Sequence, residues 1–377
     1  MKYWYVLIVL GIVLSSCLDN KPTSESKSKG KRTANVEKTH KGGREIINAG
    51  SQTQYTGKPG QLIVVAENTV YVDEIADLFD SIFQVPMRPY YPQTDYFEVH
   101  HRTLAEFRKL STQLRNVIEL DIDESIEKGD PKMLIYENYY SRTQLYTKLK
   151  AHDMNDLYQL LTQELDYLFK LYDKQEWKRE FIRHSRYKNE EVREKIKKKF
   201  GIDLTLPGKF KYESIDNNYG IIILPEEARQ IDLKFGSNTA SKMNYIQTGI
   251  QIWQYPYTDT SLMSPSSLMR MRDTILKRYA KHEMDGVYMG TQDHPAVLPV
   301  YEPLKIGNVS GYQFRGLYKF TGEAEPSGGR FWSFHFKHPY RNRIVVVSGY
   351  VDAPPTISPH LELNQIRAII YSLVAVE

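Results

Sequence analysis

The chain has 377 residues, 25% of them charged, 41% hydrophobic and 12% aromatic, with a formal net charge of +4 and a single cysteine. This composition excludes a disordered or fibrous polymer and, with one cysteine, any internal disulfide framework. The positive charge gives no support to nucleic acid binding: residues 18–60 hold nine Lys or Arg against four Asp or Glu, and subtracting that surplus and Lys2 from +4 leaves the remainder near −2.

Met1-Lys2 supplies a positive start, and Tyr5 to Leu14 is an apolar run roughly half as long as a bilayer-spanning helix requires. Leu14-Ser15-Ser16-Cys17 resembles the bacterial lipoprotein signal, in which the cysteine thiol takes a diacylglyceryl group and becomes the acylated N-terminus. The expectation is a signal peptide over 1–16 and lipidation, palmitate included, at Cys17; an ordinary secretory peptide with a coincidental cysteine is the alternative. At about 0.8 kcal/mol per buried methylene, two or three acyl chains make release from a membrane negligible. Residues 17–57 are rich in Lys, Ser, Thr, Gly and Asn and read as a flexible basic tether, spanning on the order of 35 Å as a coil.

Gly57-Lys58-Pro59-Gly60 signals a turn into the strand Gln61 to Ala66. Val72 to Phe83 has helical apolar spacing, and Pro86, Pro89 and Pro92 punctuate a loop. Strands are predicted at 96–99, 116–120 and 132–137, with a short helix capped by Thr103, giving an α/β lobe over 58–150 with a ferredoxin-like sandwich as the expected fold. Asp153 or Asn155 opens a long helical pattern that turns basic past Trp177 and ends at Phe200-Gly201, a connecting segment over 151–200. Its basic part reads either as a solvated face laced with Glu-Lys pairs or as a membrane- or partner-facing surface. Over 201–377, strands at 202–206, 219–224, 245–255, 309–320, 330–336 and 343–351, with helices at 265–279 and 360–373, predict an antiparallel sheet with helices laid on it. The overall expectation is an α+β protein of two lobes.

The motifs Gly57-Lys58-Pro59-Gly60, Phe200-Gly201-Ile202, Tyr255-Pro256-Tyr257-Thr258-Asp259, Arg315-Gly316-Leu317-Tyr318, Arg341 to Val345 and Gly349 to Pro354 resemble a Bacteroidetes lipoprotein family, domain of unknown function 4837 (DUF4837), from about Gly57 to the C-terminus. That resemblance implies a Gram-negative envelope lipoprotein, with the outer membrane as the expected location, and supplies no catalytic residues. Over 200–374, the Gly201 to Pro207 opening, the run of strands and the closing helix also look like the PsbP and Mog1 type of sheet, a class whose members mostly bind partners.

No phosphate-cradling glycine loop, nucleophile elbow or HExxH helix is present, and no cofactor or metal is expected. The one histidine grouping to weigh is His338 with Asp293-His294, against ordinary hydrogen-bonded histidines. Aromatics are in excess along three strands: Trp253, Tyr255 and Tyr257; Tyr312, Phe314, Tyr318 and Phe320; Phe331 to Phe336. They either fill the core or wall a groove that stacks a sugar or grips a protein. The leading expectation is a non-enzymatic envelope module binding a protein or glycan partner, with Trp253, Tyr255, Tyr257, Arg315, Arg341 and Arg343 as contacts. Alternatives are an envelope glycan hydrolase using a pair from Asp259, Glu323, Glu325 and Asp352, or a structural spacer in outer-membrane assembly.

Overall fold

Two sheets of opposite character carry this mixed α/β protein, seen here in a computed structural model that describes residues 36–37 and 44–377 apart from 111, 188, 236–237, 283 and 323–327. The described residues pack as one unit. Among the described residues no helix is long and apolar enough to cross a membrane.

The first sheet takes β1 (Val36–Glu37), β2 (Arg44–Asn48), β3 (Gln61–Val65), α1 (Asp73–Phe83), β4 (Glu98–Arg102), α2 (Leu104–Leu110), β5 (Asn116–Ile122), β6 (Lys132–Glu137) and β7 (Leu145–Ala151). Its strand order is β1-β2-β6-β7-β5-β3-β4. The pairs β7/β5, β5/β3 and β3/β4 are parallel, and only β6/β7 and β1/β2 run antiparallel. This corrects the ferredoxin-like expectation: α1 and α2 are crossovers that return the chain in the same direction, which a hairpin cannot do. A second correction concerns the tether, since residues 44–48 pair in parallel with β6. Arg44–Asn48 is too short and too charged at its start to stand out as a strand, and pairing with a formed edge supplies what its pattern lacks. The cap expected at Thr103 is present, and it is a capping box, Thr103 N–H donating to Glu106 Oε2 at 2.8 Å while Glu106 N–H donates to Thr103 Oγ1 at 3.3 Å.

α3 (Met154–His184), capped by Asp153 accepting from Asp156 N–H, lays Leu157, Leu161, Leu165 and Leu168 on one face of that sheet beside α1. The connecting segment is two helices: α3 ends at His184, and Asn189 caps α4 (Glu190–Phe200), which ends on Gly201 in the left-handed region at φ 70°.

The second sheet is antiparallel throughout. It comprises β9 (Lys211–Asp216), β10 (Tyr219–Ile223), β11 (Glu227–Phe235), β12 (Asn238–Pro256), β13 (Tyr288–Thr291), β14 (Val300–Ile306), β15 (Val309–Thr321), β16 (Gly328–Lys337) and β17 (Arg343–Asp352), while β8 (Ile202–Asp203) pairs with the closing β18 (Val374–Ala375). The order is β13-β15-β16-β17-β12-β10-β9, with β11 on the first half of β12 and β14 on the first half of β15. α5 (Pro265–Tyr279), capped by Ser264, covers part of one face; α6 (His360–Tyr371) and α4 cover the other. α6 is buried nearly all round, since its far side meets α3. Gly349 makes the near side possible, because a Cβ there would stand 2.3 Å from Ile366 Cγ2.

The two sheets are further joined by the proline loop, where Tyr90 is buried and donates its hydroxyl to the Phe331 carbonyl at 3.0 Å, and Arg330 donates to the Pro92 carbonyl at 3.0 Å. The basic segment divides: Lys174 and Arg183 of α3 are exposed and α4 carries the exposed Glu191–Lys195 pair at 2.6 Å, but the inner face of α3 is buried. Glu176, Arg179, Glu180 and His184 are buried on its inner face.

Candidate functional site

The α5-covered face of the second sheet is where its aromatics collect, and the helix does not reach its end. Strand alternation puts Tyr350 and Asp352 of β17, Tyr318 and Phe320 of β15, and Gln247 and Gln251 of β12 on that face. Beyond Tyr279, the last residue of α5, they floor an open cleft of two adjoining hollows, about 750 and 620 Å3, that share Gln247, Tyr318, Phe320 and Asp352. Tyr318 and Tyr350 meet edge to face with centroids 6.1 Å apart, as do Tyr318 and Phe320 at 6.0 Å. Tyr279 closes one side, stacked on Tyr219 at 4.6 Å and held by a hydroxyl bond to Asp216.

Glycines opposite the rings set this floor. A Cβ on Gly249, the register partner of Tyr350, would stand 2.5 Å from the Tyr350 ring. One on Gly329, the partner of Tyr318, would stand 2.8 Å from the Tyr318 ring. Each ring therefore packs over the glycine of the neighbouring strand, where a side chain would displace it.

Asp352 stands at the centre of the cleft, half-buried, with no hydrogen bond or ion pair among the described residues. Burial pushes its carboxyl pKa up. Burial and then the Asp352 charge push up the Tyr350 hydroxyl, and burial and the same charge raise that of Tyr318 still further. Both phenols stay protonated and able to donate. Aromatic rings, together with a carboxyl and two phenols that have no hydrogen-bond partner among the described residues, suit a polyhydroxylated ligand.

The residues singled out from the sequence are mostly not here. Trp253 and Tyr255 are buried core under α5, and burial raises the Tyr255 hydroxyl. Tyr257 lies beneath Lys337, whose Nζ is 4.3 Å from the ring centroid. Arg315 bonds to the Tyr96 hydroxyl and lies 5.2 Å over Trp332, joining the two sheets. Arg341 reaches the Lys199 carbonyl at 3.4 Å against Gly201, and Arg343 donates to Asn218 Oδ1 at 3.2 Å. The structure thus does not bring these six together, since alternation, the helix cover and the turn after β16 send them to different places. Of the four carboxylates, Asp352 lines the cleft, Asp259 caps the 3-10 turn Thr260–Met263, and Glu323 and Glu325 lie outside the described residues, as does Cys17. The histidine grouping is dispersed: His338 bonds to the Gly201 carbonyl at 2.7 Å, Asp293 pairs with Lys319 at 2.6 Å, and His294 caps Pro295–Val297. The signal that finds the cleft is a glycine facing a tyrosine across two strand pairs, readable only once the register is known.

Residues 189–372 match the family model described as domain of unknown function DUF4837. They form a DUF4837 domain. The preceding residues 56–186 match a different model, domain of unknown function DUF8532, so the resemblance to DUF4837 begins at 189 and not at Gly57. The break between the matches falls at the turn between α3 and α4, and the cleft floor of Gln247, Tyr318, Phe320, Tyr350 and Asp352 belongs to the DUF4837 domain. No curated protein matches the chain. Among solved structures, the Saccharomyces cerevisiae Ran-binding protein Mog1p is similar at 10% identity over 47% of this chain and 91% of its own, with a TM-score of 0.28. A mutant of protein Mog1 is similar at 10% identity over 47% and 92%, also at 0.28. A likeness at that score carries no argument about fold or function.

Proposed function

We propose that the protein is a lipid-anchored envelope binding module whose DUF4837 cleft holds a glycan. The observation that carries the reading is the Asp352 carboxyl, unpaired among the described residues, beside the Phe320 and Tyr350 rings, with Tyr318 buried edge to face between them. Sugar C–H faces stack on the rings while ring hydroxyls donate to Asp352 and accept from the phenols. Gln247 and Gln251 add amide groups along the same wall.

Asp352→Asn is expected to weaken glycan retention about 10- to 100-fold, since a hydrogen bond to a charged group contributes roughly 1.5–3 kcal/mol. Binding to an array of envelope glycans, followed by calorimetry on the hits, measures it. Retention of no glycan, or equal affinity in the variant, overturns the reading. Release of reducing sugar that Asp352→Asn abolishes moves it to the hydrolase, with Glu213 or Glu226 at the two ends of the cleft as the second carboxylate.

The anchor half of the proposal rests on Leu14-Ser15-Ser16-Cys17. Cys17→Ser is expected to move the protein from the detergent to the aqueous phase on Triton X-114 partitioning, because Cys17 is the single cysteine of the sequence and its thiol is the group the signal would acylate. A variant that stays with detergent contradicts lipidation at that residue.

A further inference from the structure

A second cavity lies away from the cleft, where the two matched regions meet. It has a volume of about 370 Å3, within the range of small-molecule sites, and takes His184 from the end of α3, Gln365 from α6, Thr248 from β12, and Tyr187, Leu224 and Lys209 from the surrounding loops. Neither region makes it alone, since α3 lies in the DUF8532 match, Tyr187 between the two matches, and the other lining residues in the DUF4837 match.

The cavity is built rather than accidental. His184 is only 1% exposed, yet both its ring nitrogens lack a hydrogen-bond partner. Burial, and then the Arg183 charge, drive its pKa down to about 3, so the imidazole is neutral and offers one donor and one acceptor. Gln365 and Thr248 are also buried, at 6% and 4% exposure, and their side chains have no hydrogen bond among the described residues. The unpartnered ring nitrogens of His184 form a costly arrangement unless something completes it, and Gln365 and Thr248 offer further unpaired groups beside it. Leu224 and two prolines make the remaining wall apolar, and Tyr187 packs its ring on Gly208, where a Cβ would stand 2.7 Å away. At the mouth, Arg183 pairs with Glu180 at 2.6 Å and Glu227 with Arg229 at 3.3 Å. Lys209 is exposed and has no carboxylate partner among the described residues, which leaves the rim with one uncompensated positive charge.

We propose that this cavity binds a planar, uncharged heterocycle bearing an anionic substituent, the chemistry of a nucleoside monophosphate. The ring edge, with adjacent donor and acceptor, meets His184 and Gln365; the ring face lies on the apolar wall by Tyr187; the phosphate meets Lys209. A sugar lacks the planar edge, and a free phosphate has no use for the neutral interior.

Calorimetric titration of the full chain in detergent with adenosine 5′-monophosphate, adenosine and inorganic phosphate tests it. The expected result is saturable binding of the monophosphate, weaker binding of adenosine and none of phosphate. Lys209→Glu, on the surface and away from the core, should weaken the monophosphate about fivefold, the scale of a partly exposed ion pair, and leave adenosine unchanged. His184→Phe should weaken both about tenfold, the scale of a lost buried hydrogen bond. If His184→Phe does not fold, the Lys209→Glu contrast between the two ligands decides alone. Absence of saturable monophosphate binding overturns the proposal. So does binding that Lys209→Glu leaves unchanged, which would place the nucleotide on the basic residues of the N-terminal stretch.

Discussion

Glu176→Ala is expected to cost about 3–5 kcal/mol of unfolding free energy, the scale for removing one partner of a buried ionic cluster. The side chain is 2% exposed and accepts from Gly60 N–H at 3.0 Å, Asn116 Nδ2 at 2.7 Å, Arg179 Nη1 at 2.6 Å and Arg115 Nη2 at 3.0 Å. Asn364 of α6 adds a longer bond at 3.4 Å. Burial alone would raise the carboxyl pKa, but the Arg115 and Arg179 guanidinium groups outweigh it and hold it below the usual range. Alanine leaves two buried guanidinium groups facing each other with nothing between them. Arg179 keeps only its bonds to the carbonyls of Thr143 and Arg115 and to Asn116 Oδ1. Guanidinium chloride unfolding of the two proteins reads the difference. A loss below about 1 kcal/mol would mean that solvent reaches the cluster, and that burial by α6 does not isolate it. Because the bonds of Glu176 run to β5, the turn before β3 and α6, the loss should appear as loosening of the whole unit rather than fraying of α3.

Such a cluster is hard to see in a sequence, and the reason is specific. The face of α3 that carries Leu157, Leu161, Leu165, Leu168 and Tyr172 continues at the same spacing through Glu176, Arg179 or Glu180, and His184. The period is unbroken while the chemistry changes, and a charged continuation of an apolar stripe reads as solvated unless its partners are known. Those partners, Arg115, Asn116 and Asn364, are distant in sequence. Local chemistry was far more legible. Asp153, Ser264, Thr103 and Gly201 each cap or end a helix where their side chains or φ demand it, because a cap involves only residues within a turn. In the second sheet β10, β15, β16, β17 and the latter half of β12 were legible too, whereas β9, β11, β13 and β14 were not. Strand direction in the first sheet was not, since a buried parallel strand and a buried antiparallel one share the same short apolar run. The aromatic strands divide for a reason of the same kind: Trp253 and Tyr318 sit on one face, and only the placement of α5 decides that the first is sealed and the second opens on the cleft.

Glu362→Gln is expected to change how stability depends on pH. Glu362, in the first turn of α6, is 1% exposed and bonds to Arg229, leaving Oε2 without a partner. Burial raises its pKa from 4.5 to about 7; Arg229 opposes that shift, and the charges of Glu227 and Glu180 add to it. A carboxyl whose folded pKa lies above its unfolded one binds its proton more tightly when folded. Its contribution is therefore fully present below the unfolded value near 4.5, declines as pH rises, and is gone above about 7. At roughly 1.36 kcal/mol per pKa unit, the decline amounts to about 3 kcal/mol, less whatever solvent around the part-exposed Arg229 screens. Glutamine is the neutral isostere and has no proton to lose. Denaturant unfolding of both proteins at about pH 4 and about pH 8 should show the difference between them moving in favour of the variant by up to about 3 kcal/mol, whatever its starting value. Equal movement of both proteins with pH would mean that Arg229 holds Glu362 ionised throughout. In that event the start of α6 is fixed by an ion pair at every pH, and removing Arg229 should then do the harm that removing the charge on Glu362 did not.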